Sequence, residues 1–187
     1  MAQLFINVIG HNGSGKTTLS KKLADQFAFN LVNGDDFRHF IYDHIRYFND
    51  LDGSFPSDRF SQLAPLVLDY RVKLTHTLLA NQQTVIYDGS GATRAYRDNY
   101  LPAIRQEFPD VKTVIIWVDI DEKELLARLA ERDKAQKARW TKQYHQIKKA
   151  LFDPPKDDEA NVILRYDQTN YNEIAETIKK SSEVTKI

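Results

Sequence analysis

The sequence predicts a three-layer α/β/α fold built on a sheet of about five parallel strands, and three observations carry that prediction. Short apolar runs recur along the chain, at residues 4–9, 29–33, 84–88, 111–119 and 161–166. Stretches with helical spacing separate them, the alternation that builds a parallel sheet. The first run leads directly into Gly10-His11-Asn12-Gly13-Ser14-Gly15-Lys16-Thr17-Thr18, a G-x-x-x-x-G-K-T spacing between a strand and a helix. In that context the pattern is a P-loop, so the expected architecture is the P-loop NTPase fold with a small helical lid.

Each residue type in the loop has a physical task. Gly10, Gly13 and Gly15 release the backbone so that successive N–H groups turn inward onto phosphate oxygens. Asn12, Ser14 and Thr18 complete the expected nucleotide-binding stretch. The anion then meets the unpaired N–H groups and positive dipole end of the following helix, with Lys16 directed at the β and γ phosphates of ATP. Thr17 is the expected hydroxyl ligand of Mg²⁺.

Leu19, Leu23 and Phe27 recur at helical spacing, which predicts the first helix over residues 16–27. The strand that follows delivers Gly34-Asp35-Asp36-Phe37-Arg38 to the carboxyl rim of the sheet, where ligands of such folds bind. Two carboxylates, Asp35 and Asp36, and Arg38 thus reach the same rim as Lys16. An aromatic helix from Phe37 to about Asn49, a turn-rich break at 52–58, and a long helix from Arg59 to about Asn81, interrupted or bent near Pro65, form a helical insertion at about 36–81. A kinase would build its acceptor site there.

The third strand ends in Asp88, the arrangement of a Walker-B acid holding Mg²⁺ directly or through water. A single helix is expected from Thr93 to Phe108, carrying Arg94 and Arg97 toward the active rim, with Arg97 as an acceptor contact. After the buried fourth strand, Asp121 opens a helix with Leu125, Leu126 and Leu129 inward and Arg128 and Arg132 one turn apart on another face. The polar, basic segment at about 133–143 is the lid candidate. Arginines suit a migrating phosphoryl group because their planar fork matches its oxygens. A solvated helix face with Glu124 and Glu131 is the other reading of those arginines. A helix over 144–152, a fifth strand and a final helix over 171–180 complete one domain spanning residues 1–187.

Lys plus Arg and Asp plus Glu are each 26 among 187 residues, so the formal net charge is zero. No overall field favours nucleic acid or an anionic membrane. The absence of Cys removes disulfides and thiolate metal sites, and no run approaches the roughly 20 apolar residues of a membrane span. With no signal-peptide pattern at the start, a cytoplasmic location is expected.

The P-loop, Asp35-Asp36-Phe37-Arg38, Val85-Ile86-Tyr87-Asp88, Thr93-Arg94-Ala95-Tyr96-Arg97 and Arg128-Leu129-Ala130-Glu131-Arg132 together resemble the P-loop kinases grouped around polynucleotide 5′-kinase. Phe152-Asp153-Pro154-Pro155 is similar to that group's Phe-Glu-x-Pro stretch, and the chain departs from it in having Gly89-Ser90-Gly91 after the strand-three acid. The resemblance implies that Lys16 and Thr17 hold donor phosphates and Mg²⁺, that Asp35 is the general base taking the acceptor proton, that Asp88 is the strand-three acid, and that Arg128 and Arg132 are lid arginines. Asp36 is open to share or replace the duty of Asp35, and Asp36 and Arg38 are then the expected acceptor contacts. The expected activity is ATP-dependent transfer of the γ-phosphoryl group to a hydroxyl of a small acceptor, a nucleoside or nucleotide such as uridine being preferred. A 5′-hydroxyl polynucleotide acceptor and a nucleotide-dependent switch without a phosphorylated acceptor are the alternatives.

Overall fold

The computed structural model describes residues 2–48, 58–89, 91–136, 145–146 and 149–183. Five strands, β1 (Leu4–Gly10), β2 (Asn30–Asn33), β3 (Val85–Asp88), β4 (Lys112–Val118) and β5 (Val162–Tyr166), form one parallel sheet in the order β2-β3-β1-β4-β5. Register aligns the functional ends: Asn33 lies opposite Asp88, Asp88 opposite Val8, and Gly10 opposite Val118.

Helices cover both faces, which is why β1 is buried along its whole length. On one face α1 (Lys16–Phe27) and the C-terminal helix Tyr171–Ser182 bring Leu19, Leu23, Ile174 and Ile178 against Leu4, Ile6, Val8, Val114 and Ile116. On the other, Phe5, Ile9, Val85, Tyr87 and Ile115 meet Leu79 of α3 (Asp58–Ala80) and Tyr100, Leu101 and Ile104. Asn7 points into this second face and donates to Tyr100 Oη at 2.7 Å. A satellite core of Ile41, Phe48, Leu63 and Val67 joins α2 (Gly34–His44) to α3.

Three expectations change in detail. The aromatic helix begins at Gly34, because Asn33 Oδ1 accepts from the amides of Asp35 and Asp36 and caps it there. Helix α3 continues through Pro65 without an interruption, the proline standing inside a helix that runs from Asp58 to Ala80. The helix expected over 93–108 is two, α4 (Arg94–Arg97) and α5 (Leu101–Glu107). Pro102 fits the first turn of a new helix but lacks the N–H to continue an old one, so the chain breaks just before it. Helix α6 (Glu122–Gln136), capped by Asp121, includes residues 133–136 of the lid candidate, and residues 137–143 lie outside the described residues, as does most of the 52–58 break. Among the described residues, no helix is long and apolar enough to cross a membrane.

Candidate active site

The loop between β1 and α1 has the backbone its sequence demands. Gly10 takes φ 146°, and a Cβ there would lie 2.5 Å from the Val118 carbonyl oxygen of the neighbouring strand. Gly15 takes φ 97° at the N-cap of α1, with no side chain capping the helix start. The first amides of α1 are thus left for a ligand. Leu125 and Leu129 of α6 press against the loop from outside, so Gly13 has no room for a side chain either.

Lys16 folds back over the loop and donates to the His11 carbonyl at 2.7 Å. Burial, the largest influence, and the Arg132 charge push its ammonium down to about 8, against the pull of Asp88 and Asp35. Asp88 is buried, accepts from Asn33 Nδ2 at 2.9 Å, and has the Thr17 hydroxyl as a hydrogen-bonding neighbour. Burial raises its carboxyl above the usual value, and Thr17, Lys16 and Arg71 hold that rise in check. Lys16, Thr17, Asp35 and Asp88 thus lie past the carboxyl ends of β1, β2 and β3, near enough that the Asp35 charge acts on both Lys16 and Asp88.

These residues fit a magnesium–nucleotide complex. The buried Ser14 hydroxyl has no partner, and the helix start is uncapped, as a phosphate cradle requires. No cluster of three His, Cys, Asp or Glu able to hold a metal exists among the described residues. One hydroxyl and one carboxylate are what Mg²⁺ uses when phosphates and water complete its shell.

Asp35 and Asp36 are exposed in the first turn of α2, and Arg38 forms an ion pair with the Asp35 carboxylate. Arg128 lies against the loop, its Nη1 3.5 Å from where a Cβ on Gly15 would stand. Its Nη2 is 2.5 Å from Glu124 and 2.6 Å from Gln168 Oε1, and Gln168 in turn donates to the Ser14 carbonyl at 3.2 Å. The Glu124 pairing is the one that the alternative sequence reading named. Arg132 is exposed on α6, with its charge felt at Lys16.

Arg97 is not brought to the rim. It is fully buried, bound to both Glu159 oxygens at 2.6 and 2.9 Å and to the carbonyls of Gly91 and Asp153 at 2.7 and 2.9 Å. Its donors are taken by the protein, so the expected acceptor contact is corrected to a structural ion pair. Arg94 likewise turns to Asp158.

Four residues lacked a sequence-based assignment. Asn33 ties the tips of β2 and β3 together, and the His11 ring packs 4.5 Å from Phe152 and 5.3 Å from His145. Gln168 holds Arg128. The fourth is Arg71, buried in α3, whose Nη2 donates to the Asp88 carbonyl at 2.7 Å. One signal could have marked it: Leu63, Val67, Arg71, Thr75 and Leu79 repeat every four residues, placing an arginine in the buried stripe.

A 2-3-1-4-5 parallel sheet, a glycine-lined phosphate loop and a strand-three acid beside its lysine define a protein of the P-loop kinase fold. A family model described as an AAA domain matches residues 5–155, and the chain belongs to that family of P-loop proteins. No curated protein matches it. Among solved structures, a candidate kinase from Chloroflexus aurantiacus is similar at 20% identity and TM-score 0.76, over 97% of this chain and 98% of that one. A sugar kinase from Janibacter is 19% identical with TM-score 0.64, over 95% and 93%. The APS kinase CysC from Mycobacterium tuberculosis is 14% identical with TM-score 0.59, over 96% of each chain. At these identities the likeness shows the fold.

Proposed function

We propose that this chain is an ATP-dependent kinase transferring the γ-phosphoryl group to a hydroxyl of a small acceptor. The observation that carries it is the convergence of Lys16, Thr17 and Asp35 on Asp88 at the carboxyl rim of the sheet. Lys16 holds the donor phosphates, and Thr17 and Asp88 hold Mg²⁺, which when bound neutralises charge across the β and γ phosphates. Asp35, an exposed carboxylate whose charge acts on both Lys16 and Asp88, takes the proton from the acceptor hydroxyl. Arg132 reaches the transferring group from α6, while Arg128 braces the loop through Gln168. Arg38 positions Asp35, and Asp36 flanks the acceptor from the same turn.

Among small hydroxyl compounds, the aromatic side chains of α2, with Phe37 stacked 3.8 Å from Tyr70, suit a nucleoside or nucleotide. The neutral charge of the chain argues against a long polynucleotide. ADP release measured across nucleosides, nucleotides, sugars, sugar acids and an oligonucleotide with a free 5′-hydroxyl tests the reading. Formation of ADP that depends on a small acceptor is expected. Acceptor-independent hydrolysis stimulated by a macromolecule would replace the kinase with a switch.

A further inference from the structure

We infer that Arg71 is a recognition site for an oxyanion, carboxylate or phosphate, carried by the acceptor itself. The inference rests on the kinase reading above and narrows its substrate class. Arg71 is only 5% exposed, yet no carboxylate forms an ion pair with it among the described residues. Of the five N–H donors on its guanidinium, one at Nη2 reaches the Asp88 carbonyl, and Nε is buried without a hydrogen-bond partner. The guanidinium carbon stands 3.8 Å over the Tyr87 ring, which holds the plane but supplies no acceptor in it. A buried charge is ordinarily paired, and this one is paired only in part.

Its placement says what would complete it. A Cβ on Gly34 would come 2.8 Å from Arg71 Cδ, and one on Gly89 would come 2.9 Å from both Cζ and Nη1. The side chain therefore threads between two positions without side chains, at the tips of β2 and β3. Gly34 precedes Asp35, and Gly89 follows Asp88. An oxyanion that completes Arg71 would lie at the tips of β2 and β3, on the side of the expected base, with β3 between β2 and the strand that leads into the phosphate loop. It belongs to the acceptor rather than to ATP. A planar fork of donors selects two-oxygen faces, so carboxylate and phosphate monoester are the two chemistries it takes.

The test uses matched acceptors, gluconate against sorbitol and uridine monophosphate against uridine, in two assays. In the first, ADP release by the wild-type protein should favour an anionic member over its neutral partner by about 100-fold or more in kcat/KM, mainly through KM. The Arg71→Lys variant, which keeps charge and stem but not the fork, should lose most of that preference. In the second, the protein saturated with ADP and Mg²⁺ is titrated with the same compounds and with inorganic phosphate. An anion should bind the wild type and bind Arg71→Lys at least tenfold more weakly. Arg71→Gln serves as a second variant, and ADP binding by each variant reports that the donor half is folded. Equal turnover of neutral and anionic members would overturn the inference while leaving the kinase reading intact. Anion binding that depends on Arg71 without transfer to any acceptor would do the reverse. Failure of every anion, phosphate included, to bind the ADP-saturated wild type would overturn the inference, as would a variant that changes Tm but neither preference nor anion affinity.

Discussion

Arg97 and Arg71 both lie out of solvent in the same molecule, and their surroundings differ. Arg97 meets Glu159 through two parallel hydrogen bonds and two backbone carbonyls, and Glu159 also accepts from the Lys156 amide at 2.8 Å. Arg71 has one carbonyl and one aromatic face. The first is a closed knot joining the segment after β3 to the acidic tract before β5. The second belongs to a rim where Lys16 and Asp88 are held away from their ordinary protonation equilibria. Saturated buried charge marks what the fold needs, and unsaturated buried charge marks what a ligand completes.

The comparison breaks most readily at Glu159. Glu159→Ala leaves the Arg97 charge buried and uncompensated, which costs about 3–5 kcal/mol and lowers Tm on the order of 10 °C. Thermal unfolding checks this, with nucleotide affinity of the folded fraction unchanged. Burial alone would raise the Glu159 carboxyl, but the hydrogen bonds from Arg97 and the Lys156 amide, with the Arg97 and Arg94 charges, outweigh it and hold it low. The stability it contributes is therefore complete above the ordinary glutamate value of 4.5 and is lost as pH falls through the lower folded value.

At the open rim the expected pattern is opposite. Lys16→Ala should lower phosphoryl transfer by about 10²–10³-fold or more, while Tm holds or rises because a partly buried ammonium is removed. A Tm loss matching that of Glu159→Ala would erase the distinction between the two regions. Asp35→Asn should reduce turnover by about 10²-fold, with ATP affinity retained and stability within about 1 kcal/mol, since its pair with Arg38 is exposed. Steady-state kinetics beside denaturant titration measure both. The smallest effect is a proton. Nucleotide phosphates restore the charged form of Lys16, whose value in the free protein is about 8 against 10.5 for an ordinary lysine. Binding should take up protons between about pH 8 and 10, and affinity should fall across that window by up to about tenfold per pH unit. Calorimetry in buffers of different ionisation enthalpy detects it, and Lys16→Ala should abolish it.

Legibility in the sequence follows the distance over which each feature is encoded. The phosphate loop lies within nine consecutive residues, and the strands are continuous apolar runs, so both are readable locally. Asp35 and Asp88 are readable because parallel topology assigns strand ends to one rim. Arg97 misleads because its partner Glu159 is remote in sequence and nothing near Arg97 announces it. Arg71 escapes for a related reason: its role depends on two glycines on different strands, each unremarkable alone. Pro102 is a local signal of a helix start, masked by a helical pattern on both sides of it.

The strand order carries one more consequence, in time rather than space. β1 is hydrogen-bonded to β3 and β4 and never to the strand made next, so Phe5 pairs with Val85 and Thr113, and Gly10 with Val118. The phosphate loop is synthesised first and supported last. Contacts so distant in sequence form slowly, and a nascent chain ending ahead of Val118 carries every loop residue with no wall behind Gly10. A nascent chain is therefore expected to bind nucleotide only after the fourth strand has been made.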